Sequence, residues 1–220
     1  MHETIQNIIN IQNSIKSKIS NLNQNITIPK IVAVSKTFEL DQILPLINYG
    51  HIDYGENKVQ EAINKWADIK HKSKFIKLHL IGKLQTNKVK PALKLFDFIH
   101  SLDNEKLAKK ISDEQIKQNI KPKIFIQINI GNEKQKSGID KDNLKEFYNY
   151  CKSLRLDVIG TMCIPPIEEN SVKYFKEMNS INQELKFSEL SMGMSDDYLN
   201  AIEYHSTYLR IGSSIFGKRL

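Results

Sequence analysis

The sequence predicts a (β/α)8 TIM barrel, a closed parallel sheet wrapped by helices, and three observations carry that expectation. Short apolar runs of strand length alternate with amphipathic segments of helical period from about residue 30 to the end of the chain. Eight such runs occur, and strands that alternate with helices build parallel crossover units. The length, 220 residues, lies within the roughly 200 to 250 that one barrel of this kind occupies undivided.

The elements follow in order. An opening helix over about residues 2 to 22 carries Ile5, Ile8, Ile11, Ile15, Ile19 and Leu22 on one face. The first strand begins near Lys30 and reads Ile31-Val32-Ala33-Val34-Ser35-Lys36; alternation puts Val32, Val34 and Lys36 on one face and Ile31, Ala33 and Ser35 on the other. The second begins near His51 and leads to Gly55-Glu56-Asn57. The third begins near Ile76, with Lys77, His79 and Ile81 opposite Leu78 and Leu80, and leads to Gly82-Lys83-Leu84-Gln85. The fourth begins near Phe96. The fifth begins near Ile124, with Phe125, Gln127 and Asn129 facing inward, Ile124, Ile126, Ile128 and Ile130 facing the helices, and a loop over residues 129 to 138. The sixth begins near Leu154 and passes Met162 before Pro165-Pro166, which reads as a loop. The seventh begins near Glu189 and runs into residues 191 to 197; the eighth begins near Thr207, places Tyr208, Arg210 and Gly212 on one face, and leads to Ser213-Ser214. No Pro/Gly-rich linker or shift in composition divides the chain, so residues 1 to 220 read as one domain.

Composition excludes several function classes. No apolar run approaches the roughly 18 residues that span a bilayer, and the N-terminus shows no basic, apolar and small-residue succession of a secretory signal, so the expected compartment is the cytoplasm. Cys151 and Cys163 have no metal-ligand spacing, and the six histidines form no HExxH pair, so neither a disulfide framework nor a metal site is expected. The net charge of +7 comes from lysines spread over helix faces, with only three arginines, rather than from a clustered stripe with stacking aromatics; no nucleic-acid partner is expected.

Barrels of this class keep their chemistry at the C-terminal rim, where strand ends and βα loops meet. Lys36 stands there after the first strand on the inward face, and a lysine stripped of hydration is a nucleophile toward carbonyls. Taken alone it reads far more readily as a strand-terminal lysine that snorkels to water. The loops after strands seven and eight are where barrels bind phosphate, and Ser191-Met192-Gly193-Met194-Ser195-Asp196-Asp197 and Ile211-Gly212-Ser213-Ser214 supply turn glycines and hydroxyls at both. The plainer alternative is that Ser195 and Ser213 each cap their own helix. Together with a lysine across the mouth, the two motifs point to a phosphorylated carbonyl compound such as pyridoxal 5'-phosphate (PLP).

Five blocks then carry a resemblance. Ala33-Val34-Ser35-Lys36-Thr37, Tyr54-Gly55-Glu56-Asn57-Lys58-Val59-Gln60-Glu61, His79-Leu80-Ile81-Gly82-Lys83-Leu84-Gln85-Thr86-Asn87-Lys88, residues 190 to 197, and Arg210-Ile211-Gly212-Ser213-Ser214-Ile215-Phe216-Gly217 strongly resemble the pyridoxal phosphate homeostasis family, from about residue 5 to the C-terminus. That family resembles the barrel of fold-type III PLP enzymes such as alanine racemase without their C-terminal β domain, for which the chain leaves no room. The resemblance makes Lys36 the Schiff-base lysine. It sets Ser195, Gly212 and Ser213 around the phosphate, Asn57 near the phenolic oxygen and Arg210 near the pyridine nitrogen. Ser213-Ser214 replaces the commoner Thr-Ala and keeps the hydroxyl; Lys83 stands where proline is commoner, and its role is open. His79 is expected inside the barrel, near the ring or as a satisfied core histidine, and Gln127 and Asn129 as cofactor contacts or interior hydrogen-bond partners. Met162, Met192 and Met194 are candidates to pack on the ring or to fill the core. Glu56 is expected to be structural or electrostatic, not a general base.

The expected function is a monomeric, non-catalytic PLP-binding protein that stores, buffers or delivers the cofactor, with PLP-dependent apo-enzymes as partners. A racemase needs a second base opposite the lysine, and an arginine at the pyridine nitrogen disfavours the protonation that makes PLP an electron sink. A PLP-dependent amino-acid racemase of low activity is the alternative; an aldolase or phosphosugar isomerase using Lys36 without PLP fits the rim but not the five blocks.

Overall fold

Hydrogen bonding closes the sheet strand by strand. In the computed structural model, which describes residues 1–22, 24–133, 135–167 and 169–217, the strands β1 (Lys30–Val34), β2 (Asp53–Glu56), β3 (Lys77–Leu80), β4 (Phe98–Leu102), β5 (Lys123–Ile128), β6 (Asp157–Cys163), β7 (Glu189–Ser191) and β8 (Tyr208–Ile211) pair in chain order, and β8 returns in parallel to β1 with Tyr208 opposite Lys30 and Ile211 opposite Ala33. Lys134, within the loop expected after the fifth strand, and the last three residues of the expected domain lie outside the described residues.

The helices are α1 (Glu3–Asn21), α2 (Leu40–Asn48), α3 (Val59–Lys72), α4 (Val89–Leu95), α5 (Glu105–Gln118), α6 (Leu144–Ser153), α7 (Ser171–Glu184), α8 (Tyr198–Glu203) and α9 (Ser213–Phe216). Their ends follow ordinary capping chemistry. Asn104 accepts from the Leu107 N–H at the start of α5, and Asn119 closes that helix in the left-handed region at φ 53°. Helix α1 lies outside the crossover pattern and packs on α2, α8 and α9, where the Asn7 side-chain amide donates to the Ile215 carbonyl at 3.0 Å.

Strand alternation divides the core in two, as expected for a sheet buried on both faces. Between strands and helices lies the larger apolar layer, including Ile31, Ala33, Leu78, Leu80, Ile124 and Ile126. Inside the barrel Val32, Phe98, Phe125, Met162 and Tyr208 pack together. Met192 belongs to the outer layer, the core-filling one of its two expected places: its neighbour Ser191 takes the inward position.

Several expected boundaries also move. The sixth strand starts at Asp157 rather than near Leu154, because α6 continues through Ser153 and Arg155 then turns the chain at φ 56°. Gly55 and Glu56 belong to β2 instead of following it, and β1 ends at Val34, so that Ser35 and Lys36 open the first loop. No helix among the described residues is long and apolar enough to cross a membrane.

Candidate functional site

At the C-terminal rim the loops enclose a cavity of about 690 Å³. Lys36, Asn57, Ser195, Arg210, Gly212 and Ser213 all line it, on the ends of β1, β2, β7 and β8. Gln127 and Asn129 line it from β5, Lys83 from the loop after β3, and Met194 from the loop after β7. Gln135, Lys136 and Ser137 complete the wall, brought over by the loop after β5. Gln127 holds that loop by donating to the Ser137 carbonyl at 3.0 Å, and Asn129 by donating to the Glu133 carbonyl and accepting its N–H. Lys136 donates to the Pro165 carbonyl at 3.1 Å and pairs with Glu133.

The backbone that carries Lys36 is fixed from behind. Ser35 donates its N–H to the Gly55 carbonyl and its hydroxyl to Glu56 Oε1 at 2.8 Å, while its carbonyl accepts from Lys65 Nζ at 2.8 Å. The same Glu56 oxygen accepts from Trp66 Nε1 at 2.9 Å and Lys65 Nζ at 3.0 Å. Glu56 is fully buried on the helix side of the sheet, so its expected structural role holds. Thr37 then turns the chain in the left-handed region at φ 68°, its N–H donating to Glu61. Asn57 is positioned by Gly82: a Cβ at 82 would stand 2.4 Å from the Asn57 carbonyl oxygen, so the loops after β2 and β3 approach closely only because residue 82 is glycine.

The adjoining wall, after β7 and β8, presents donors. The N–H groups of Gly212 and Ser214 both point at Ser195 Oγ, each at 3.3 Å. Neither Ser195 nor Ser213 caps its own helix: α8 is preceded by Asp197 and α9 by Gly212, both without a side-chain cap bond. Ser213 is exposed at the rim. At Gly212 a Cβ would come within 3.3 Å of Val34 Cβ and the Val34 carbonyl, so glycine brings this wall close to the strand that leads to Lys36. Arg210 is 4 % exposed. Its guanidinium donates to Ser191 Oγ and to the Cys163 carbonyl, each at 2.7 Å.

His79 does not reach this cavity. It is fully buried lower in the barrel, 2.9 Å from Asp53 Oδ1 and 3.0 Å from His100, and stacks on Phe98 with ring centroids 4.2 Å apart. This is the satisfied core histidine of the two expectations. His100 and Asp53 were not singled out from the sequence, and Ser191 only as part of the loop after the seventh strand; the visible signal was parity, since His100 follows Phe98 by two residues on one strand. Met162 also lies within the barrel, in the inner cluster rather than along the cavity wall.

Known proteins show which family this barrel belongs to. Residues 11–219 match the family model described as alanine racemase, N-terminal domain. A pyridoxal phosphate homeostasis protein of Aquifex aeolicus is 39% identical over 200 residues, covering 86% of this chain and 87% of that protein. The protein of the same name from Escherichia coli strain K12 is 33% identical over 232 residues, covering 100% and 98%. Among solved structures, PipY of Synechococcus elongatus with PLP bound superposes with a TM-score of 0.80 at 29% identity, covering 92% of this chain and 100% of PipY. An alanine racemase of Clostridium difficile shares the fold at TM-score 0.71 and 14% identity, with 99% of this chain matching 57% of that one. A closed eight-stranded parallel barrel, together with these matches over most of the chain, establishes that the chain belongs to the pyridoxal phosphate homeostasis protein family, built on the alanine racemase N-terminal domain.

Proposed function

We propose that the protein binds PLP in the rim cavity and serves PLP homeostasis as a non-catalytic reservoir that takes up the cofactor and passes it on. One observation carries the reading: Lys36 and a wall of donors made by Ser195, Gly212, Ser213 and Arg210 line one cavity of about 690 Å³. The donor set fits the cofactor's chemistry, because N–H and hydroxyl groups suit a phosphate and the neighbouring amine suits an aldehyde. Bound there, PLP supplies a carbonyl to which amines add reversibly, so that it can be held covalently and released.

The family resemblance gives each residue a role. Lys36 is the covalent attachment point. The Gly212 N–H and the hydroxyls of Ser195 and Ser213 hold the phosphate; Ser195 also keeps the two converging N–H groups aligned. Asn57 orients the phenolic oxygen. Arg210 donates at the pyridine nitrogen, and as a permanent cation it keeps a proton off that atom. Among the described residues lining the cavity, the groups able to move a proton opposite Lys36 reduce to Lys83, Lys136 and Asp196; no histidine or tyrosine stands there. Lys136 is engaged by Glu133 and the Pro165 carbonyl. Inverting an α-carbon needs a base on each face, and with Lys136 engaged that role would fall to Lys83 or Asp196, neither of which the reservoir reading uses. The expected setting is the cytoplasm, as a monomer, with PLP-dependent apo-enzymes as recipients.

Borohydride reduction of the PLP-loaded protein followed by peptide mapping tests the assignment. The pyridoxyl group is expected on Lys36, and Lys36→Ala should abolish the adduct. Mapping to Lys83 or Lys136 instead refutes it. Incubation with L-alanine in deuterated water should give α-proton exchange no faster than free PLP; rapid exchange with inversion that disappears in Lys36→Ala would promote the racemase reading.

A further inference from the structure

Five buried polar side chains run down the barrel interior from the cavity to the opposite mouth, joined by four hydrogen bonds. Arg210 Nη1 donates to Ser191 Oγ at 2.7 Å; Ser191 Oγ lies 3.0 Å from His100 Nδ1; His100 Nε2 lies 3.0 Å from His79 Nδ1; and His79 Nε2 lies 2.9 Å from Asp53 Oδ1. Asp53 sits at the start of β2 and borders a separate, smaller cavity at the N-terminal mouth, so the chain of bonds spans the barrel between two openings.

The direction of every bond is determined. A carboxylate only accepts and a guanidinium only donates, so the two ends are fixed. Burial lowers the affinity of both histidines for a second proton, at His79 despite the Asp53 carboxylate and at His100 with the further opposition of His79 and Arg210. Burial alone would raise the Asp53 carboxyl; the hydrogen bond that His79 donates, with the charge of Lys77, outweighs it and holds Asp53 ionised. With one proton per ring, the Nε2–H of His79 must serve Asp53, leaving its Nδ1 to accept from the Nε2–H of His100. The Nδ1 of His100 then accepts the Ser191 hydroxyl, whose oxygen is left to accept from Arg210. All donors point toward Asp53 and all lone pairs toward Arg210. Phe98 stacks on His79 and Phe125 on His100, with centroids 4.2 and 4.3 Å apart, so both rings are held in plane and out of water.

We propose that Asp53, His79, His100 and Ser191 are positioning residues: the oriented chain makes Asp53 the distant counter-charge of Arg210 and fixes the guanidinium toward the cofactor. In a low-dielectric interior such aligned dipoles reinforce one another, so a change at one mouth is felt at the other. The inference rests on the reading that Arg210 faces the PLP ring.

Two measurements test it, the first without cofactor. Nitrogen NMR of the imidazoles in the unloaded protein at neutral pH should show His79 and His100 neutral, both protonated at Nε2; an imidazolium or an Nδ1–H form at either overturns the proposal. The second loads PLP into Asp53→Asn, which keeps an oxygen to accept from His79 while removing the charge, and into His100→Gln. Both are expected to shift the absorbance maximum of bound PLP and to weaken its binding about tenfold, the size of one hydrogen bond to a charged group, while Asp53→Glu restores the parent spectrum. Folded variants with parent spectra and affinities overturn the coupling. Failure of the parent protein to load PLP on Lys36 would instead refute the functional reading and leave the NMR result standing.

Discussion

Glu56→Ala should cost the protein about 3 to 5 kcal/mol, although the residue never touches the cavity. The carboxylate is 0% exposed and its partner Lys65 9%. Oxygen Oε1 alone accepts from the Ser35 hydroxyl, Trp66 Nε1 and Lys65 Nζ. Truncation leaves those donors facing an apolar void, and removing one partner of a buried ion pair costs about 3 to 5 kcal/mol. Two features favour the lower end. Lys65 keeps the Ser35 carbonyl at 2.8 Å and Glu61 at 3.3 Å, and Glu56 Oε2 has no hydrogen-bond partner among the described residues, so half of the carboxylate contributes desolvation without compensation. For a chain of this length the loss corresponds to roughly 6 to 20 °C in Tm. Glu56→Gln retains an acceptor at Oε1 and should lose only about 1 to 2 kcal/mol. Urea denaturation followed by the fluorescence of Trp66, the single tryptophan, reads both the global transition and the local change. A loss below about 1 kcal/mol in Glu56→Ala would refute the argument that this oxygen anchors the end of β1; equal losses in the two variants would show that charge, not hydrogen bonding, carries the effect.

The remaining predictions concern the donor wall and pH. Ser195→Ala and Ser213→Ala should each weaken PLP binding by about 1 to 3 kcal/mol while leaving unphosphorylated pyridoxal nearly unaffected; titration with both ligands checks this, and equal effects on both would displace the phosphate from this wall. His51, His79 and His100 are all held by burial below the ordinary histidine value of 6.5. Below 6.5 the unfolded chain therefore binds protons that the folded one resists, and stability falls with acid, by at most about 1.4 kcal/mol per pH unit for each histidine. Asp53, held below its ordinary 3.8, adds a further loss as pH drops through that lower range. Urea midpoints at a series of pH values should decline from neutrality downward, and His100→Gln should flatten the slope by about one histidine; a midpoint constant down to about pH 5 would contradict the burial argument.

Much of this arrangement was legible because a strand has a period of two. That parity put Lys36 on the face of Val32 and Val34, and Arg210 on that of Tyr208; all these side chains lie inside the barrel or along its cavity. Boundaries were less legible. Nothing in Leu154-Arg155-Leu156 distinguishes a strand start from a helix end until Arg155 is seen to turn the chain. The polar chain below the cavity was hidden for another reason: His79, His100, Ser191 and Asp53 come from four strands, and only closure of the sheet brings them together. Lys136 arrives through a loop that Gln127 and Asn129 tie back, a tertiary choice without local sequence signal.

The bond from Asn7 to the Ile215 carbonyl also orders events in time. Helix α1 leaves the ribosome before all eight strands, whereas two of the helices it packs on, α8 and α9, follow the seventh and eighth of them. Until β8 is made, β1 and β7 each present an unpaired edge, the kind of surface on which nascent chains stick to one another. Helix α1 thus waits through the making of the whole barrel for that docking place. A chain stalled before β8 would lack Arg210, Gly212 and Ser213 from the cavity wall and carry two adhesive edges at once.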